Sequence, residues 1–302
     1  MKTAFKKISI ALLIVAFALT LATSFAACNK KKDALPDVNY AVTNNFEITT
    51  TDYTINPEAK EEERIGARIY APNGVNAKYG VLFFLGTLIA PEYYDYLGTA
   101  LAKQGYVMAI AVSPFAFFGY EDKTKPIADD VIARYPNLKF FVGGHSQGGG
   151  AAMRFACEYF DNVLGAFFLA PLTFGAREAT QAEYDKDAEK HPEWFNVTDS
   201  GKIYRADTLA MTNLPTLLLE AANDHVLSEE QKLDALEKMP LGAQHFVINP
   251  GAHMSFSAWD DDSTLALFMN DGDGITEPQK AAQKELTVSY VLDFLQITVA
   301  NK

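Results

Sequence analysis

Cysteine is almost absent from this chain, basic residues are outnumbered, and phosphate-binding glycine patterns are missing. Only 2 of the 302 residues are Cys, Cys28 and Cys157, which excludes a scaffold held by several disulfides. The chain is long enough to bury a sizeable apolar core instead. Lys and Arg number 26 against 38 Asp and Glu, a formal net charge of −12. That balance excludes a nucleic-acid surface, which needs clustered cations to meet phosphates. An acidic surface by itself is a solvated one and identifies no partner. The glycine-rich stretch near the middle carries neither Gly-x-Gly-x-x-Gly nor Gly-Lys-Ser/Thr, so it does not read as a phosphate loop. There is no internal repeat and no low-complexity tract.

The first segment reads as targeting. Lys2, Lys6 and Lys7 precede an apolar run from Ile8 to Leu21, and small residues lead to Cys28 in "SFAAC". The run is short for a span, which needs about 20 apolar residues. The expectation is a lipoprotein-type leader over 1–27, with a lipid on Cys28 anchoring an exported protein to the cell envelope. Ordinary secretion and an uncleaved anchor are the alternatives. Polar residues 28–45 read as a tether and 46–302 as the globular domain.

"FEITTTDYTI" and "RIGARIYAP" are β-rich and read as an edge hairpin. From Tyr79 onward, short apolar runs alternate with helical patterns. "YGVLFFL", "GYVMAIAV", "KFFVGG", "VLGAFFLA", "LPTLLLEAA" and "QHFVIN" are the strands. Helices fall on "APEYYDYLGTALAKQ", with Tyr93, Leu97 and Leu101 on one side, and on "PIADDVIARY", "GGAAMRFACEYF", "EEQKLDALEKM" and "EPQKAAQKELTVSYVLDFLQ". The prediction is an α/β fold, a mostly parallel doubly wound sheet with an N-terminal antiparallel hairpin and helices on both faces. Residues 173–211 are polar and too long for a plain connection, so they read as a small cap or a surface insertion.

Gly144-His145-Ser146-Gln147-Gly148 is a Gly-x-Ser-x-Gly between a buried strand and a helix. A serine on so sharp a turn needs small neighbours, here Gly144 and Gly148, and the helix N-terminus favours negative charge there. A hydroxyl is a poor nucleophile until a base takes its proton. Of the 5 histidines, His145 sits in the turn and should point away from the serine, while His191, His225 and His245 lie elsewhere. His253 follows the last strand and completes the order Ser, acid, His. Asp224 lies just past a buried strand between them, where a helix-capping role is the bland alternative. Glu220, still within that strand, is the second candidate acid. Acyl transfer also needs oxyanion donors: the Gln147 backbone N–H and, from the loop after "YGVLFFL", that of Thr87 or Leu88.

On these residues the chain resembles the α/β-hydrolase superfamily, and more narrowly the bacterial α/β-hydrolase fold-5, dienelactone-hydrolase-like group. The likeness runs from about Tyr79 to Leu295. It includes "LGTLIAPEYYDYLGTALAKQGY", "KPIADDVIARYPNLKFFVGGHSQGG", "GAHMSF", and "GDGIT" with Gln279 or Gln283. It implies Ser146 as nucleophile, Asp224 as acid and His253 as base. The chain departs from the group at Leu85, where proline is usual, and at "SAWDDDSTLALFMN" after the histidine.

The expected function is therefore a cell-envelope serine hydrolase of carboxylic esters, working without a cofactor on a small acyl substrate. A non-catalytic binding lipoprotein on the same scaffold, or an acyltransferase, is the alternative. Phe115, Phe117, Phe118 and Tyr120 are candidates for an acyl pocket or for simple core. "SAWDDD" and "NDGDG" lack calcium-loop spacing and read as surface turns, and no metal site is assigned.

Overall fold

Alternation along the buried strands decides which side chains face which helices. The computed structural model of the protein describes residues 44–113, 123–259, 271 and 274–301, all within the unit Tyr40–Lys302. The expected leader, Cys28, most of the tether, Phe115, Phe117, Phe118, Tyr120 and much of the acidic stretch after Trp259 lie outside the described residues.

Eight strands form the main sheet: β1 (Ile48–Thr54), β2 (Gly66–Pro72), β3 (Tyr79–Phe84), β4 (Val107–Val112), β5 (Lys139–His145), β6 (Val163–Leu169), β10 (Thr216–Ala221) and β11 (Gln244–Ile248). Their order is β1-β2-β4-β3-β5-β6-β10-β11. β1 pairs antiparallel with β2, and β2 antiparallel with β4. All later pairings are parallel. Parallel neighbours need crossovers, and helices supply them.

Along β3, Leu82 and Phe84 join one cluster with Ile127, Val131, Ala152 and Phe155, from helices α2 (Lys125–Arg134) and α3 (Gln147–Glu158). Phe83, one residue out of step, stacks on Phe167. Phe141 on that same side meets Phe294 of the C-terminal helix α6 (Glu277–Ala300). Period-two alternation thus sends neighbouring apolar residues to opposite helix layers. Each fully buried Phe of this kind contributes about 1.5–3 kcal/mol. Helices cover both faces, as the unbroken apolar runs require.

Two details differ from the sequence expectation. The helix after β3 begins at Asp95, as α1 (Asp95–Lys103), and a 3-10 turn at Pro91–Tyr94 precedes it. The tighter turn brings Tyr94 into the core beside Leu97 and Leu101, with Tyr93 only partly buried. The polar stretch 173–211 holds a small sheet of its own: β7 (Arg177–Glu178), β8 (Phe195–Val197) and β9 (Ile203–Arg205), with helix α4 (Gln181–Asp187), while helix α5 (Glu229–Glu237) joins β10 to β11. Arg205 is 2% exposed, lies over the Trp194 ring and donates to Asp187 at 2.8 Å. At its start Phe174 lies beside Gly150 in the first turn of α3 and Thr173 bonds Asp234, while the rest of the segment meets Arg154, Cys157, Phe160 and Asp161, toward the C-terminal end of α3, and Lys238. Ser146 lies at the other end of α3.

Candidate active site

The turn that carries Ser146 is shaped by what surrounds its backbone. Ser146 has φ 53° and ψ −124°, a conformation L residues avoid, which costs on the order of 1–3 kcal/mol. Its backbone is pinned on both sides. The N–H donates to Leu169 O at 3.0 Å, and the carbonyl accepts from Gly149 and Leu172 at 2.9 and 2.8 Å. A Cβ on Gly144 would lie 2.2 Å from Gly148 O, and one on Gly148 would lie 2.2 Å from Phe84 O. Only glycine lets β3, β5 and α3 approach this closely. The serine stays partly exposed at the helix N-terminus.

Asp224 follows β10, and His253 follows β11. Asp224 Oδ2 accepts from His253 Nδ1 at 2.7 Å, with both side chains almost wholly buried. Asp224 Oδ1 accepts the N–H groups of Val226 and Leu227, both at 2.9 Å. Burial alone would push this carboxyl up. The His253 hydrogen bond and charge, with the two N–H groups, outweigh it and hold Asp224 below the usual carboxylate range. The other imidazole nitrogen, His253 Nε2, is buried and has no hydrogen-bond partner among the described residues. Glu220, the second candidate acid, instead meets His245 Nε2 at 2.5 Å.

The loop after β3 supplies the oxyanion candidates. The Gly86 N–H is already committed to Tyr94 Oη at 3.2 Å. Leu88 has φ 60°, and Ile89 N–H closes the turn onto Gly86 O at 3.2 Å. The Thr87 hydroxyl bonds Gln147 Oε1, joining this loop to the first residue of α3. Among the described residues, no group accepts from the backbone N–H of Thr87, Leu88 or Gln147.

The backbone on either side of His253 is held by residues that the sequence did not single out for this. Gln283, wholly buried on α6, accepts the Ala252 N–H at 2.9 Å and donates to Ala252 O at 2.8 Å. Gln279, its rival from the sequence, instead accepts the Thr276 N–H at the helix start. Asp271 accepts from the N–H of His225 and His253 through Oδ1, at 3.4 and 3.2 Å, and from Met254 N–H through Oδ2 at 2.6 Å. The "NDGDG" motif is thus more than a solvated turn: one of its carboxylates ties the acid loop to the histidine loop. A separate cavity of about 360 Å³, lined by Lys125, Cys157, Tyr159, His191 and Trp194 among others, includes none of these residues.

Residues 80–184, from β3 through the serine turn into the insertion, match the Alpha/beta hydrolase family. The chain has the α/β-hydrolase fold. No curated protein matches it at a significant level. Among solved structures 1089 chains match, including the "predicted CIB-like hydrolase from Thermoplasma acidophilum". That structure is 14% identical, with a TM-score of 0.46, and the match covers 74% of this chain and 98% of that one. Among the described residues, no helix is long and apolar enough to cross a membrane, and no cluster of His, Cys, Asp and Glu is arranged to hold a metal ion.

His145, beside the serine, makes the stability of the fold depend on pH. Burial, reinforced by the neighbouring His253, holds its imidazole well below the ordinary value of 6.5. In the folded chain it is neutral, while in the unfolded chain it takes a proton near the ordinary value. Below that pH the unfolded state binds more protons, so stability falls as pH drops. The slope for this group is about 1.4 kcal/mol per pH unit, down to the depressed folded value. Asp224 acts lower. Its contribution is complete above the ordinary carboxylate value and is lost as pH falls through the folded one. Urea unfolding of wild type between about pH 7 and 5 is expected to show the His145 slope. In His145→Gln it should be smaller by about one proton, and an unchanged slope would show that another group dominates.

Proposed function

We propose that the protein is a serine hydrolase of carboxylic esters in the cell envelope, anchored through a lipid on Cys28. Ser146 Oγ attacks the ester carbonyl while its proton passes to His253 Nε2. The carbonyl π pair becomes an oxyanion, which the N–H of Gln147 and that of Thr87 or Leu88 stabilise. Collapse expels the alkoxide, which takes the proton from His253 and leaves as alcohol. Water then repeats the cycle against the acyl-enzyme and releases the acid. Asp224 fixes the imidazole tautomer and stabilises the imidazolium throughout.

The observation that carries this reading is the Asp224–His253 pair, bonded through Nδ1 with Nε2 left unpartnered. An imidazole oriented by a buried carboxylate, with one bare nitrogen, is ready to accept a proton. The test is covalent labelling with a fluorophosphonate, followed by peptide mapping. The expected result is one label on Ser146, absent from Ser146→Ala and His253→Ala. Folded protein that takes no label would overturn the proposal and favour a non-catalytic binding scaffold. Ester turnover that yields a new ester in added alcohol, with little free acid, would point to acyl transfer.

A further inference from the structure

One buried hydrogen-bond chain crosses the site without touching any reacting atom. The Gly86 N–H donates to Tyr94 Oη at 3.2 Å, and Tyr94 Oη lies 2.7 Å from His145 Nδ1. His145 Nε2 lies 3.1 Å from the backbone carbonyl of His253. A carbonyl only accepts, so Nε2 carries the proton. Nδ1 is then bare and accepts from the tyrosine hydroxyl, which is free to donate because its oxygen accepts from Gly86. Every donor and acceptor in the chain has one assigned direction. Tyr94 and His145 are wholly buried, at 0% exposure each, and burial keeps the phenol protonated and the imidazole neutral. The two imidazole rings lie 4.8 Å apart, so His145 also forms the floor under His253.

We propose that Tyr94 and His145 are a positioning pair that ties the oxyanion loop at Gly86 to the backbone of the catalytic histidine. The inference rests on the serine-hydrolase reading above. Its logic is geometric. Oxyanion donors and general base come from loops after different strands, β3 and β11, and must keep a fixed separation across the substrate carbonyl. A Cβ on Gly86 would lie 3.0 Å from His145 Nδ1, so the loop already sits against the ring. Residue 145 is the one position in the serine turn whose side chain reaches both loops. Tyr94 acts on the ring's placement: its O–H holds Nδ1 on the Gly86 side, while the His253 carbonyl keeps the proton on Nε2.

The test compares Tyr94→Phe, His145→Phe, His145→Gln and the Tyr94→Phe/His145→Phe double variant, each checked for folding by circular dichroism. The readouts are the fluorophosphonate labelling rate at Ser146 and the nitrogen NMR spectrum of the imidazoles. Tyr94→Phe and His145→Phe are each expected to slow labelling about ten- to hundredfold, the usual effect of a small misplacement of catalytic groups. His145→Gln, whose side-chain N–H reaches toward the His253 carbonyl, should recover most of the rate. The double variant should be no slower than His145→Phe alone, because both changes break one chain. The spectrum should show His145 protonated at Nε2 in wild type and in Tyr94→Phe alike, with the bare Nδ1 resonance shifted in the variant because its hydrogen bond is gone. A purely space-filling role predicts no rescue by Gln over Phe and an unshifted Nδ1 resonance. Normal wild-type labelling with both Phe variants within about twofold of it overturns this inference alone. Wild-type protein that does not label overturns the hydrolase reading and this inference with it.

Discussion

Changing His253 to Ala is expected to lower kcat on a p-nitrophenyl ester by about a millionfold, with KM little changed. The size of the effect follows from how little else in the site can accept the Ser146 proton. Asp224 is the nearest carboxylate to the imidazole, but its oxygens are taken by His253 Nδ1 and by two backbone N–H groups. His145 is adjacent, yet its Nε2 faces a carbonyl and its Nδ1 faces the Tyr94 hydroxyl. Removing the His253 ring therefore leaves a serine with no base. Loss of the base removes transition-state stabilisation without touching the groups that bind the ester, so the change appears in kcat. Ser146→Ala should fall as far, and the double variant no further, because the two residues act as one unit. Residual turnover of about 10³–10⁴ over water is expected from the oxyanion donors. Steady-state kinetics on folded variants decide the matter. A His253→Ala loss smaller than about a hundredfold would assign the base elsewhere.

What could be read in advance divides by the range of the interactions. The buried strands were legible because a run such as Val81–Phe84 has no polar residue to place outward, and burial on both faces follows. The serine turn was legible because Gly144 and Gly148 answer a local steric demand, seen in the 2.2 Å approaches to backbone oxygens. Asp224 and His253 were approachable because strand ends and chain order limited the choice. Residues that hold backbone across long separations left no such steric trace: Gln283 was offered only by the resemblance, beside Gln279, and Asp271 only as part of a surface turn. Gln283 clamps Ala252 from 31 positions away, and Asp271 reaches His225 from 46. Neither bond has a spacing or a composition that marks it. Tyr94 was missed for a smaller reason: a helical pattern placed Tyr93 on the buried side, and a 3-10 turn before α1 shifts the phase by one residue. His145 was read only as pointing away from the serine, because its link to the His253 carbonyl depends on a contact 108 residues away.

Asp224→Asn is expected to cost about 10⁴ in kcat, and to be at least as damaging as Asp224→Ala. A carboxamide is the same shape as a carboxylate, so the usual expectation for so small a change would be mild. Here the surroundings dictate which end of the amide points where. The N–H groups of Val226 and Leu227 both aim at the Oδ1 position, each at 2.9 Å, and both need an acceptor. Turning the NH₂ toward them would bury clashing donors and orphan two backbone N–H groups, at about 1–3 kcal/mol each. The amide oxygen therefore stays at that position, and the NH₂ faces His253 Nδ1. Nδ1 must then accept, which moves the imidazole proton to Nε2, the nitrogen that should take the proton of Ser146. The variant holds its base in the wrong tautomer with good geometry. Asp224→Ala removes the orienting group but forces neither tautomer, so part of the population keeps Nε2 bare. Parallel measurement of kcat for the two variants, with nitrogen NMR of the His253 ring, tests the argument. An Asn variant within about tenfold of wild type would remove Asp224 from the proton-transfer machinery and leave it the helix-capping role its position also allows.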